Sequence, residues 1–102
     1  MNELEKTNTV TKLENRIEGR GEVDGFVFSK KFENKKGYVY RVDTEEGYHF
    51  EAFLKKQAPI CIDFKKRIYS DTETKEVYPK SNNFGVWAWT VETLEKGINL
   101  LS

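Results

Sequence analysis

The sequence has one cysteine, one histidine, two prolines and no net charge. Each scarcity excludes something. A lone cysteine, Cys61, cannot close an intrachain disulfide, so nothing ties the fold to an oxidising compartment. His49 and Cys61 together fall short of the three or four Cys or His ligands that a zinc site usually takes, and no EF-hand spacing is present. No apolar run approaches the length of a membrane-spanning helix. The opening "MNELEKTNTV" is polar and acidic and lacks the apolar core of a secretory signal. These features point to a cytoplasmic protein with no cofactor, no metal and no membrane partner.

Charge is abundant but balanced, with 17 Lys and Arg against 17 Asp and Glu. Domains that live on nucleic-acid phosphates usually carry a basic excess. Zero net charge counts against such a role over the whole surface, while local segregation of charge remains open.

Aromatic residues are plentiful, at 14% of the chain. Each buries a large area, which compensates for an apolar content of only 37%. A chain of 102 residues has room for one domain with a small stability margin. Residues 1–12 are polar and aperiodic and are expected to be disordered or frayed, leaving 13–102 as a single domain.

In "KLENRIEG", Leu13 and Ile17 lie four apart, which suits a turn or two of helix or a short strand. From Glu22 onward, aromatic and β-branched residues alternate in runs separated by short Gly-bearing turns, "ENKKG" and "TEEG". This is the pattern of antiparallel hairpins, and it predicts a meander over 22–33, 38–43 and 47–56. "QAP" is expected to break the chain at Pro59. Ile60, Ile62 and Phe64 then recur at period two, and "SDTET" supplies a turn before "KEVYP", so a second hairpin is expected over 60–79. "KSNNFG" is rich in turn formers, and "VWAW" has the composition of a strand. In "TVETLEKGINLLS", Val91, Leu94, Ile98 and Leu101 fall on one helical face. Thr90 is the expected N-cap, and Glu92 sits in the first turn. Gly97 costs a helix about 1 kcal/mol relative to Ala, so close approach of the helix to the sheet is its expected reason. The predicted fold is α+β: a curled, mainly antiparallel sheet of five to six strands with one C-terminal helix packed on it.

Residues 78–101, "YPKSNNFGVWAWTVETLEKGINLL", resemble the C-terminal part of small proteins of bacteria, phages and mobile elements. Those proteins end in a Tyr-Pro, an Asn-rich loop, a Phe-Gly-x-Trp-Ala-Trp strand and a short helix. The resemblance implies a bacterial or phage accessory protein. It carries no functional residues over, because the group has no assigned activity.

Candidate chemistry is sparse. Cys61 between Ile60 and Ile62 has the setting of a small buried hydrophobe. "GRGEVDG" opens a strand, without the Gly-Lys-Ser/Thr of a phosphate cradle. Glu45–Glu46 and Asp71–Glu73 lie in turns, where solvation gives no pKa shift for acid–base work. An enzyme would have to use His49, and no catalytic constellation surrounds it in the sequence.

Two surfaces remain. On a regular strand, Trp87 and Trp89 share one face and Val86 and Ala88 the other. One helix covers one face of a sheet, so the other needs different cover or a partner. Trp87, Trp89 and Phe84 are therefore the candidate partner-binding residues of a non-enzymatic module, with protein as the expected partner. The alternative is single-stranded nucleic acid, gripped by Lys30, Lys31, Lys65, Lys66 and Arg67 with Tyr38 and Tyr40 as stacking rings.

Overall fold

The computed structural model describes residues 9–63 and 65–102. Of the segment expected to be frayed over 1–12, residues 1–8 lie outside the described residues, as does the period-two position Phe64. Thr9–Thr11 form a strand and correct that expectation, because the strand Ile68–Glu76 offers them a pairing edge. The described strands are β1 (Thr9–Thr11), β2 (Arg16–Glu18), β3 (Val27–Glu33), β4 (Gly37–Thr44), β5 (Gly47–Leu54), β6 (Gln57–Asp63), β7 (Ile68–Glu76) and β8 (Ala88–Val91), followed by one α-helix, α1 (Leu94–Leu100). The α+β class, the predominance of antiparallel pairing and the C-terminal helix are as the sequence predicts. The strands form two sheets, of order β2-β3-β4-β5-β8 and β1-β7-β6. Contacts divide the chain into two compact units, one of residues up to Leu13 with Lys56–Tyr78, the other Glu14–Lys55 with Pro79–Ser102.

The larger unit is built on the expected meander. β3, β4 and β5 pair antiparallel in sequence order. Asn34 makes the first turn: its Oδ1 accepts from the amides of Lys36 (2.8 Å) and Gly37 (3.0 Å), and its Nδ2 donates to the carbonyl of Leu101. Thr44 makes the second, its hydroxyl accepting from the amide of Glu46 at 3.2 Å. Residues 16–18, ambiguous in the sequence, are a strand paired with β3.

β4 lies at the centre of this sheet and is buried on both sides. On the helix side, Val39, Ala52 and Leu101 form a fully buried nucleus, with Phe32, Phe50, Leu54, Leu94 and Ile98 packed around it. On the other side, Tyr38, Tyr40 and Phe53 form a closed aromatic triad with ring centroids 5.7–5.9 Å apart. A bulge at Lys31 supplies both sides from one strand. Lys30 pairs with Tyr40, but Phe32 pairs with Val39. The extra residue turns Phe32 into the helix-side core and leaves Lys30 with the tyrosines.

The helix starts later than expected. Thr90 and Val91 continue β8, opposite Glu51 and Phe50. The N-cap is Thr93, whose hydroxyl accepts from the amide of Lys96 at 3.2 Å; Glu92 precedes the cap. Cross-strand pairing of β8 with β5 outcompetes an extra helical turn. Gly97 has the role its cost suggested, since a Cβ there would lie 2.8 Å from Val39 Cγ1.

The smaller unit has a different character. β6 and β7 form a second hairpin, but its turn lies at 65–67 and the "SDTET" segment expected to turn is part of β7; β1 joins β7 in parallel. Pro59 lies within β6 opposite Thr74 and does not break it. A residue without N–H is tolerated there because β6 pairs on one side only among the described residues. The register then shifts twice before Asp63. Among the described residues, none of the fully buried hydrophobic side chains belongs to this unit. Among its described residues Glu76 is buried, and its carboxylate accepts from the amide of Leu13 at 3.0 Å.

Candidate functional site

The two tryptophans do not share a face. Residues 81–83 form a 3-10 turn, and the Asn83 carbonyl accepts from the amides of both Val86 (3.0 Å) and Trp87 (3.1 Å). Gly85 takes a φ of 90°, accessible to glycine, and donates its amide to Ala88. Residues 84–87 are therefore a turn, and strand parity applies only from Ala88 onward. Trp87 lies edge-on against Phe53, with centroids 6.4 Å apart, so it extends the aromatic triad. Trp89 pairs with Ala52 and belongs to the helix side of the sheet. Val86 is 71% exposed and Ala88 fully buried, which overturns their expected equivalence. Both tryptophans and Phe84 are half-buried. The signal for this turn was legible in "SNNFG", whose Asn and Gly residues favour the required backbone.

The face away from the helix, expected to be the bare one, is closed within the chain. Lys30 and Lys55 place their ammonium groups 4.8 and 5.1 Å from the Tyr38 ring centroid. Glu33 lies between the two cations, at 2.8 Å from Lys55 Nζ and 3.7 Å from Lys30 Nζ. This cluster satisfies the charges while the lysine stems cover the aromatic rings. The Tyr40 hydroxyl donates to the Glu14 carbonyl. Tyr38 and Tyr40 are therefore not available as stacking platforms for bases, and Lys30 is already neutralised. Lys31, at the bulge, is exposed.

His49 also lies on this side of β5. Its Nε2 is 2.9 Å from Glu51 Oε2, two residues along the same strand. The geometry orients an imidazole, and supplies an ion pair when the ring is protonated. No group of three His, Cys, Asp or Glu side chains able to hold a metal occurs among the described residues. "GRGEVDG" forms a 3-10 turn at Gly21–Val23. An open hollow of about 410 Å³ beside it is lined partly by Glu18, Arg20 and Asp24, a charge balance that does not favour phosphate.

The open surface is on the other unit, at the end of the β6–β7 hairpin. Ile62 is 65% exposed, Tyr69 55% and Ile68 46%. Cys61, expected to be buried, is exposed opposite Tyr69. Lys65, Lys66 and Arg67 form the connecting turn and are all exposed. Asp63 pins that turn by accepting from the amide of Lys66 at 3.2 Å. The structure thus places Lys65, Lys66 and Arg67 with Ile62, Ile68 and Tyr69, and Lys30 with Tyr38 and Tyr40. The basic run was visible in the sequence. The exposed apolar neighbours were not, because period two alone does not say whether a face is covered.

No family model matches this chain, and neither a curated protein nor a solved structure is significantly similar to it. The likeness over residues 78–101 rests on those residues alone.

Proposed function

We propose that this chain is a small non-enzymatic module that binds another protein through the end of its β6–β7 hairpin. The observation that carries the reading is the exposure of Ile62, Ile68 and Tyr69 together at one hairpin end. Ile68 and Tyr69 are consecutive on β7 and so lie on its two faces. Exposed apolar side chains beside charged residues are a usual mark of an interaction surface, and Tyr and Arg are enriched among residues that dominate binding energy. Trp87 and Trp89, the residues favoured from sequence, are committed to opposite sides of the larger sheet and act as scaffold. An accessory protein of a bacterium or phage, implied by the resemblance over 78–101, suits such a module.

The test is comparative capture from the native host with the full chain as bait. A partner should be retained by the wild type and by a Val86→Ser control, and lost with Ile62→Ser/Ile68→Ser. Equal retention by all three baits would remove the hairpin from consideration.

A second reading, single-stranded nucleic acid, is favoured by one observation, the exposed run Lys65–Lys66–Arg67 with Tyr69 nearby. It predicts oligonucleotide binding that is strongest at low salt, where the phosphate contribution is greatest. Fluorescence anisotropy that stays flat at low salt excludes it.

A further inference from the structure

Independently of the hairpin reading, we infer that this chain pairs with a second copy of itself through the part of the larger sheet that the helix leaves open. α1 has seven residues and is roughly 10 Å long. β4 and β5 have eight residues each and run for roughly 27 Å. The helix therefore covers Val39 and Ala52 and stops short of the end of the sheet at the Thr44 turn. At that end Tyr48 is 58% exposed, and the side chains of Arg16, Glu18, Arg41 and Asp43 are 38–76% exposed.

The first argument is register. Cross-strand partners share a face, and alternate residues along a strand return to it. On the helix side this sets two neighbouring rows across the strands. One carries Arg16, Arg41 and Phe50; the next, closer to the Thr44 turn, carries Glu18, Asp43 and Tyr48. A cation row thus lies beside a carboxylate row. A two-fold axis between the rows, and parallel to them, sets each row over the other row of the copy. Arg41 then faces the copy's Asp43, Arg16 its Glu18 and Phe50 its Tyr48, and each contact occurs twice. A two-fold interface requires this self-complementarity. Facing sheets pack about 10 Å apart, a gap that arginine and carboxylate side chains bridge together.

The second argument is charge. Arg16 lies 3.6 Å from Glu18, and Arg41 lies 3.1 Å from Asp43. Phosphates tracking along the cation row meet the carboxylates beside it, and a strongly basic segment meets the arginines. A copy of the same face satisfies both signs at once. The chain has no net charge, so two copies approach without long-range repulsion. The third argument is preorganisation. The Arg41 guanidinium is held by Asp43 at 4.0 Å from the Tyr48 ring centroid, and the Tyr48 ring meets Phe50 edge-on with centroids 5.9 Å apart. Tyrosine and arginine are enriched among residues that dominate binding energy, and side chains fixed before contact lose little entropy on association.

The test is sedimentation equilibrium of the full chain at concentrations up to ~1 mM. The mass should rise from 12.0 kDa toward twice that value, and less steeply at high salt. A mass that stays at 12.0 kDa throughout overturns the inference. Arg41→Asp and Asp43→Arg, each alone, set like charges opposite one another and should each weaken association by roughly tenfold or more. An equimolar mixture of the two variants should recover it, because each supplies the charge that the other lacks. Association unchanged in the single variants overturns the inference, as does a mixture that stays monomeric. Tyr48→Ser should weaken association several-fold, and Ile62→Ser/Ile68→Ser should leave it unchanged. Association lost in that double variant but kept in Arg41→Asp assigns self-pairing to the hairpin end and overturns the inference. Should a charge variant fail to fold, amide shifts of the wild type on dilution decide: changes centred on residues 16–18, 41–43 and 48–50 support the face, and their absence there overturns it.

Discussion

Two antiparallel hairpins of this chain, β4–β5 and β6–β7, are written in similar alternating patterns and end up in opposite circumstances. In β4–β5 both sides are closed within reach of the helix: Val39 and Ala52 beneath it, Tyr38, Tyr40 and Phe53 in an aromatic triad. In β6–β7 no hydrophobic side chain among the described residues is fully buried, and Ile62, Ile68 and Tyr69 are open to solvent. Lys30 and Lys55 are held over Tyr38 and paired with Glu33, whereas Lys65, Lys66 and Arg67 have no carboxylate among the described residues. One hairpin spends its aromatic and charged residues on internal cohesion. The other leaves them available, which is why the functional proposal moves there from the tryptophans.

Substitutions sharpen this contrast, and the largest effect is expected at the triad. Phe53→Ala removes the ring that touches Tyr38, Tyr40 and Trp87. It should cost about 3–5 kcal/mol in urea unfolding followed by tryptophan fluorescence, enough to unfold a domain of this size. A loss below about 1 kcal/mol would mean that the triad is not a core. A smaller effect is expected at Gly97. Alanine favours the helix by about 1 kcal/mol, but its Cβ would press on Val39 at 2.8 Å, and overpacking costs about 1–3 kcal/mol. A net loss near 1 kcal/mol is expected, and a gain in thermal stability would show that the helix stands farther from the sheet. The smallest effect belongs to the open hairpin. Ile62→Ser should change stability by less than about 0.5 kcal/mol, as for other exposed positions. A cost comparable to that at Phe53 would erase the comparison and return Ile62 to a core.

Much of the fold was legible because it is written locally. The β3–β4–β5 meander follows from alternating aromatic residues between turns that Asn34 and Thr44 close with their own side chains. The C-terminal helix follows from the spacing of Leu94, Ile98 and Leu101, and the close approach at Gly97 from the presence of a residue that helix propensity disfavours. Other features failed for identifiable reasons. Thr90 and Thr93 are both reasonable caps by type, and pairing of β8 with β5 chose between them. Pro59 looked like a break because its tolerance depends on β6 having one pairing side. Cys61 looked buried because its neighbours are apolar, although it is exposed. The site was half legible: the basic run Lys65–Arg67 stood out, but its apolar neighbours Ile62, Ile68 and Tyr69 looked like ordinary strand positions.

By itself, then, the sequence determined what short-range chemistry determines: class, the order of hairpins and helix, and the absence of an intrachain disulfide. Only the tertiary structure decided where the tryptophans go and which hairpin is open. Parity holds only while a strand stays regular. The turn at 84–87 separates Trp87 from Trp89, and the bulge at Lys31 separates Lys30 from Phe32. Burial depends on what arrives from elsewhere in the chain, so two hairpins with similar patterns became a core and a surface.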